Sequence, residues 1–351
     1  MSKKRVVAAV MGDGRINLIE QDVPELKPGA VLVEVKASLV SPGTELGGWR
    51  GLQRRIENPD PDAKPRLFGY QNAGAVLEVG EGVDEFKPGD RVACMGGGFA
   101  YHTDYTVVPH HLCALLPDEV TFAQGAYNHL AATALHAMRR GEPEFGERVA
   151  IIGMGVVGQL AGRLYKLAGN YVIGWDMIPL RLDVARGWGI DETVLVGDED
   201  EIEKTKAFTD GYGLDAAMFA FGGDGTDAFA TVTKCMKLTP DGHHMGNVVV
   251  VGGTTFTHPA TTTNINVHKA SRTGAGYHDE AWEYGLAYPP VFMRWTTRTN
   301  IELCLRLMAE KKLDVDCLTT HVVPLEDAEA GVAAAMEDPD GILGLVFEMN
   351  D

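Results

Sequence analysis

No stretch of the sequence stays apolar over the roughly 20 residues that a bilayer-spanning helix requires, so no membrane partner is expected. Positive charge is scarce: 31 Lys and Arg stand against 49 Asp and Glu, a net charge of -18, and no basic cluster offsets it locally. Such a surface repels phosphate backbones and anionic lipid, which removes nucleic acid from the expected partners. Cysteine is sparse as well. Cys94, Cys113, Cys235, Cys304 and Cys317 include no CxxC pair, and their odd number points to reduced thiols and a cytoplasmic location. The N-terminal MSKKRVVAAVMGDGRINLIE starts basic, but its short apolar stretch breaks at Gly12-Asp13-Gly14 and then alternates. That pattern reads as a β-hairpin rather than a signal peptide.

What is present is ordinary globular composition, 45% hydrophobic and 23% charged, in a chain of 351 residues. That length exceeds what one core usually supports, so two domains are expected. Up to about residue 122 the chain is rich in β-branched alternation broken by Gly and Pro, as in VLVEVKASLV, AGAVLEVG, DRVACM and DYTVVP. The polar segment GGWRGLQRRIENPDPDAKPRL reads as an excursion loop. An Ala-rich helical stretch, FAQGAYNHLAATALHAMRRG, follows, and after it strands and helices alternate from VAIIGMG to NVVVVGG. The fold class is therefore α/β. A β domain is expected over residues 1–125 and 290–351, and a doubly wound parallel-sheet domain over residues 126–289.

The sharpest motif is Gly153-Met154-Gly155-Val156-Val157-Gly158, which leaves the apolar strand RVAIIG and opens a helix. The glycines let the backbone turn tightly, approach a pyrophosphate and pack helix on strand, and the helix N-terminus then faces the phosphates. The next strand ends at Asp176, where a carboxylate accepts hydrogen bonds from a ribose 2′-hydroxyl, so NAD is the expected cofactor. Arg181 is near enough in sequence to leave NADP open as well.

These features, with the opening hairpin, VLVEVKA, the turn Gly43-Thr44-Glu45 and FGYQNAGAVLEVGEGVDEFKPGDRV, resemble the medium-chain dehydrogenase/reductase superfamily over nearly the whole chain. The resemblance implies a GroES-like β domain, completed by the C-terminal segment, and a Rossmann domain. It also implies a homodimer or homotetramer. Where zinc members of the family place ligands, this chain has Ser41 or Pro42, then Tyr70 and Gln71, then Asn128, none of them a good zinc ligand. The four-cysteine zinc lobe is absent too, so no metal of the family kind is expected. A narrower resemblance, carried by SPGTE, TGAGYHD and RWTTRTN, is to a branch found near sugar and polysaccharide pathways.

Without zinc, a side chain must move the proton. Thr44 matches the family hydroxyl that touches the substrate oxygen; the alternative is a threonine that stabilises the turn. Tyr70 either donates its phenol to a carbonyl oxygen or fills the space of the missing metal. His129 reads either as a base titrating near neutral pH or as a packing residue. Glu45 resembles an acid that orients a ligand, and here it is expected to pair with an Arg or to orient Tyr70 or His129. Ser41, Gln71, Asn128, Tyr277, His278 and Trp295 are the expected substrate contacts, the last three suited to gripping a hydroxylated ring or, alternatively, to forming a subunit interface.

Three functions follow from this pattern. The first is a zinc-independent, NAD-dependent oxidoreductase acting on a secondary alcohol or ketone of a polyhydroxylated small molecule such as a sugar or cyclitol. The second is a zinc-free quinone or enoyl reductase. The third is a non-catalytic NAD(H)-binding sensor or regulatory protein.

Overall fold

The structure is a computed structural model that describes residues 3–258 and 263–349. The chain forms two compact units, Met1–Ala132 with Gly274–Asp351, and Thr133–Thr273. The second is shorter at both ends than the expected 126–289. Residues 126–132 stay with the first unit because the Asn128 amide is bonded into its backbone. The segment from residue 274 also stays there: Ala275 pairs with Thr296, and Tyr277 Oη accepts from the Gly97 N–H at 2.7 Å.

The first unit is organised on the strand Ala30–Val40, buried along most of its length. It pairs antiparallel with three others: Gln71–Val79, Tyr105–Pro109 and the C-terminal Gly344–Glu348. The chain's end thus completes the β domain, with Leu345 opposite Val40 and Phe347 opposite Ser38. The opening hairpin is present as Lys4–Val10 against Ile16–Asp22. Its inner residues Ala8, Val10 and Ile16 join Val35, Val40, Leu46, Phe68 and Phe347 in one apolar cluster.

The segment read as an excursion loop is partly helical. Trp49–Glu57 winds once Gly48 turns the chain, sending Leu52 into that cluster and Arg50, Arg54 and Arg55 to the surface. One buried residue in nine left little periodic signal in the sequence.

In the second unit six parallel strands lie in the order Glu192–Leu195, Tyr171–Asp176, Arg148–Ile152, Ala216–Phe219, Met245–Val251 and Asn264–Ala270. The strands run outward in both directions from Arg148–Ile152, as a doubly wound sheet does. The strand order therefore reverses beside the end of Arg148–Ile152, where the glycine-rich turn begins. Ile152, Ile173, Trp175, Val194, Phe219, Phe229 and Val248 pack one face. Among the described residues no helix is long and apolar enough to cross a membrane.

Phe219 is fully buried against Phe221, Phe229 and Phe256. Phe219→Ala is expected to destabilise this unit by about 3–5 kcal/mol, read as a fall in the urea midpoint.

Candidate active site

In the second unit the turn after Ile152 has Gly153 at φ 94°, a conformation that L side chains rarely adopt. A Cβ on Gly158 would stand 1.9 Å from the Gly153 carbonyl oxygen, so the helix Val156–Leu167 packs on the turn only because that atom is missing. At Gly155 a Cβ would meet nothing within 4 Å, which leaves room for a ligand to approach the backbone. Gly155 also caps the helix without a side-chain hydrogen bond, so no side chain covers its first N–H groups.

Asp176 stands buried at the end of its strand. Its Oδ2 accepts from the Met154 N–H at 2.7 Å, and its Oδ1 from the Ile178 N–H at 2.9 Å. Arg181 lies 3.4 Å from Oδ2. Oδ1 keeps a lone pair, and the carboxylate is locked in place beside the turn. An open backbone cradle, a bare helix N-terminus and a fixed acid fit a dinucleotide's pyrophosphate and ribose. Val156 and Val157 supply the first turn of that helix, half-buried.

In the first unit the chain leaves the strand Ala30–Val40 into a single wide turn, Pro42–Leu46, with Pro42 at its start and Gly47 at φ 74° ending it. Wide turns of this kind recur at functional sites. The turn exposes Thr44 and buries Ser41 and Glu45. The hydroxyls of Ser41 and Thr44 lie close enough to the Tyr70 phenol to act on its proton affinity, each lowering it. Burial, followed by the charge of Glu45, outweighs them and holds the Tyr70 hydroxyl far above the ordinary phenol range. It is a neutral phenol beside two alcohols.

The Tyr70 ring packs on His129 at 4.4 Å between centroids. His129 meets the edge of Tyr277 at 5.9 Å, and Tyr277 stacks on His278 at 3.9 Å. His278 sits at φ 70°, its N–H held by Glu283 Oε1 at 2.7 Å. Four of the expected residues thus form one aromatic row. Trp295 is a surface residue, 41% exposed, with the Arg294 guanidinium 4.4 Å above its ring.

Other expectations are corrected. His129 does not titrate near neutral pH: burial, followed by the neighbouring His278, pushes it down to about 3, so it is a neutral and weakly basic ring. Gln71 is bound up in the backbone, donating to the Leu39 carbonyl and accepting from the Leu130 N–H. The Asn128 Nδ2 faces the carbonyls of Asn72, Cys94 and Gly125 at 3.0–3.2 Å, leaving only Oδ1 unpartnered. Both amides hold the fold together where substrate contacts were expected.

Glu45 pairs with neither an Arg side chain nor His129. Its Oε2 accepts from the Ser41 N–H at 3.0 Å and meets His102 Nε2 at 3.1 Å. By sequence His102, after Gly96-Gly97-Gly98, reads equally as a cleft residue or as exposed loop polarity; it is fully buried, with Nδ1 on Ser38 Oγ at 2.8 Å. The flanking apolar runs VACM and YTVVP were the only available sign that the loop would be drawn inward.

Ser41, Tyr70, Gln71 and Asn128 offer a metal two hydroxyls and two amides already engaged elsewhere, a donor set that does not fit zinc. Among the described residues one group of three potential ligands converges, Glu85, His110 and His111. There Glu85 already carries the Arg298 guanidinium at 2.6 Å, a cation in competition with any metal.

A wound parallel sheet carrying a dinucleotide cradle, joined in one chain to a β domain with a buried proton donor, defines an oxidoreductase. Comparison with known proteins agrees. Residues 27–118 match the alcohol dehydrogenase GroES-like domain. The sorbitol dehydrogenase of Mus musculus is 26% identical over 347 residues, covering 91% of this chain and 89% of that protein. The sorbitol dehydrogenase of Bacillus subtilis is 29% identical over 262 residues, 66% and 73% of the two chains. Among solved structures, an Escherichia coli oxidoreductase/dehydrogenase of unknown specificity superposes with a TM-score of 0.80 at 20% identity, over 99% of this chain and all of the other. The 2R,3R-butanediol dehydrogenase of Bacillus subtilis superposes at 0.73 and 21% identity, with the same coverage. These likenesses support the medium-chain dehydrogenase/reductase superfamily for this chain.

An unfolded histidine takes up a proton near pH 6.5, whereas His129 stays neutral down to about pH 3. The unfolded chain therefore binds more protons in that window, and stability falls as pH is lowered through it. A His129→Phe variant lacks this dependence. Between pH 7 and pH 5 its unfolding free energy is expected to gain about 1–2 kcal/mol on wild type, measured by urea titration at each pH. An unchanged difference would mean that the ring is hydrated and protonated in the folded chain.

Proposed function

We propose that the protein is a zinc-independent, NAD-dependent dehydrogenase that interconverts a secondary alcohol and a ketone on an uncharged, polyhydroxylated small molecule. The observation that carries this reading is the buried, neutral Tyr70 phenol beside the Ser41 and Thr44 hydroxyls and packed on His129. When bound, a nicotinamide supplies the hydride acceptor or donor. Tyr70 donates its proton to the carbonyl oxygen as negative charge develops there. An alkoxide is more basic than even a buried tyrosine, so this transfer runs downhill; in the reverse direction Tyr70 first loses its own proton outward by way of Thr44, and the tyrosinate then takes up the alcohol proton. Thr44, exposed beside Tyr70, hydrogen-bonds the same oxygen and carries the proton outward. His129, unable to act as a base near pH 7, is a neutral platform whose ring, with Tyr277 and His278, stacks on the apolar face of a sugar or cyclitol.

The fixed carboxylate of Asp176 supports NAD over NADP, since a 2′-phosphate would meet its charge. Arg181 moderates that preference. The names of the sorbitol and butanediol dehydrogenases support an alcohol substrate. The engaged amides of Gln71 and Asn128 support turnover without zinc. A small-molecule substrate, a cytoplasmic location and a homodimer or homotetramer belong to the same reading, the location resting on the odd number of cysteines and the lack of a CxxC pair in the sequence, and the assembly on family habit.

The test is to treat the purified protein with chelator, offer NAD or NADP with sorbitol, 2,3-butanediol and a cyclitol panel, and follow absorbance of the reduced cofactor. Chelator-resistant reduction of NAD is expected. Tyr70→Phe should then lower kcat by about 10²–10⁴-fold and Thr44→Val by about tenfold. Activity lost on chelation and restored by zinc would overturn the mechanism. NADPH-driven reduction of a quinone or enone would favour the reductase reading, and cofactor binding without turnover would favour a sensor.

A further inference from the structure

Ser38, His102 and Glu45 form a buried chain that the reaction above does not use. The Ser38 Oγ to His102 Nδ1 separation is 2.8 Å and the His102 Nε2 to Glu45 Oε2 separation 3.1 Å, with Glu45 4% exposed and the other two fully buried. Phe68 and Phe347 each meet the imidazole edge to face, at 4.7 and 5.1 Å between centroids, so the ring has one orientation. Two stretches distant in sequence converge here, the strand Ala30–Val40 with the turn that follows it and the loop after Gly98.

Burying a carboxylate is costly unless it is hydrogen-bonded, and Glu45 Oε1 has no partner. Oε2 therefore carries what holds the group: the N–H of Ser41 from within its own turn, and His102 from outside it. Without His102 the carboxylate keeps only the Ser41 N–H, while Arg66 Nη2 donates to the Glu45 main-chain carbonyl and not to the acid. The same turn presents the Ser41 and Thr44 hydroxyls to Tyr70, and the Glu45 charge acts on the Tyr70 phenol.

We propose that His102 is a positioning residue. It holds Glu45, and through it the Ser41–Glu45 turn, so that the turn keeps its place beside the Tyr70 phenol. This rests on reading Tyr70 as the proton donor. It adds the element that sets the donor, which does not touch substrate.

The test compares His102→Leu with His102→Gln, whose amide replaces both hydrogen bonds. Tyrosine labelled with ¹³C at Cζ reports the phenol by NMR, the Tyr70 resonance being assigned from Tyr70→Phe. In His102→Leu the Tyr70 resonance is expected to move, and His102→Gln should return it towards the wild-type position. With 2,3-butanediol as substrate, His102→Leu should lower kcat about 10- to 100-fold with KM little changed, and His102→Gln should recover most of the loss. A folded His102→Leu protein whose Tyr70 resonance stays in place overturns the proposal. If that variant does not fold, Glu45→Gln serves instead: a moved Tyr70 resonance supports the proposal and an unmoved one overturns it. A wild type that oxidises no alcohol would end the dehydrogenase reading, while the NMR comparison would still decide whether His102 sets Tyr70.

Discussion

The strand Ala30–Val40 is the constraint on which the first unit depends. It is the shared edge of three antiparallel pairings, one of them with the last strand of the chain, so residues some three hundred positions apart fold as one sheet. Its inward side chains anchor the core, and its end delivers Ser38 to His102 and the chain to the Pro42–Leu46 turn. A shift of one residue in its register would exchange the two faces and take Ser38 away from the imidazole.

The chemistry of that site is set by burial more than by net charge. Tyr70 and His129 are aromatic neighbours packed ring on ring, and removal from water keeps each neutral by moving their proton affinities in opposite senses. Glu45, buried beside the tyrosine, sharpens the difference by raising it further. The outcome is a site with a proton to donate and no strong base, which matches a carbonyl on the way to an alcohol.

The nucleotide unit works by an opposite principle, through what is missing. Its turn depends on two absent Cβ atoms, one that would strike the Gly153 carbonyl and one that would occupy the space in front of the backbone at Gly155. Asp176 is held rigid by two N–H groups before any ligand arrives. Rigid acids and bare amides discriminate by geometry, since neither reorganises to accept a poorly matched ribose or phosphate.

Sequence alone determined the α/β class, the glycine turn and the strand ending at Asp176, because each depends on local pattern, and the family resemblance put Thr44, Glu45 and Tyr70 at one site. The hairpin about Gly12–Gly14 and the alternating strands were legible for the same reason. Tertiary structure alone decided that His102 reaches Glu45 across 57 residues, that Gln71 and Asn128 turn to the backbone, and that His129 lies too deep to titrate near neutral pH. It also decided that the segment from residue 274 folds with the β domain, drawn there by one hydrogen bond from Gly97 to Tyr277 and by the pairing of Ala275 with Thr296. Periodicity records which face of an element is apolar. It carries no record of which polar group waits on the other side of the core, and proton affinity depends on that group and on the depth of burial.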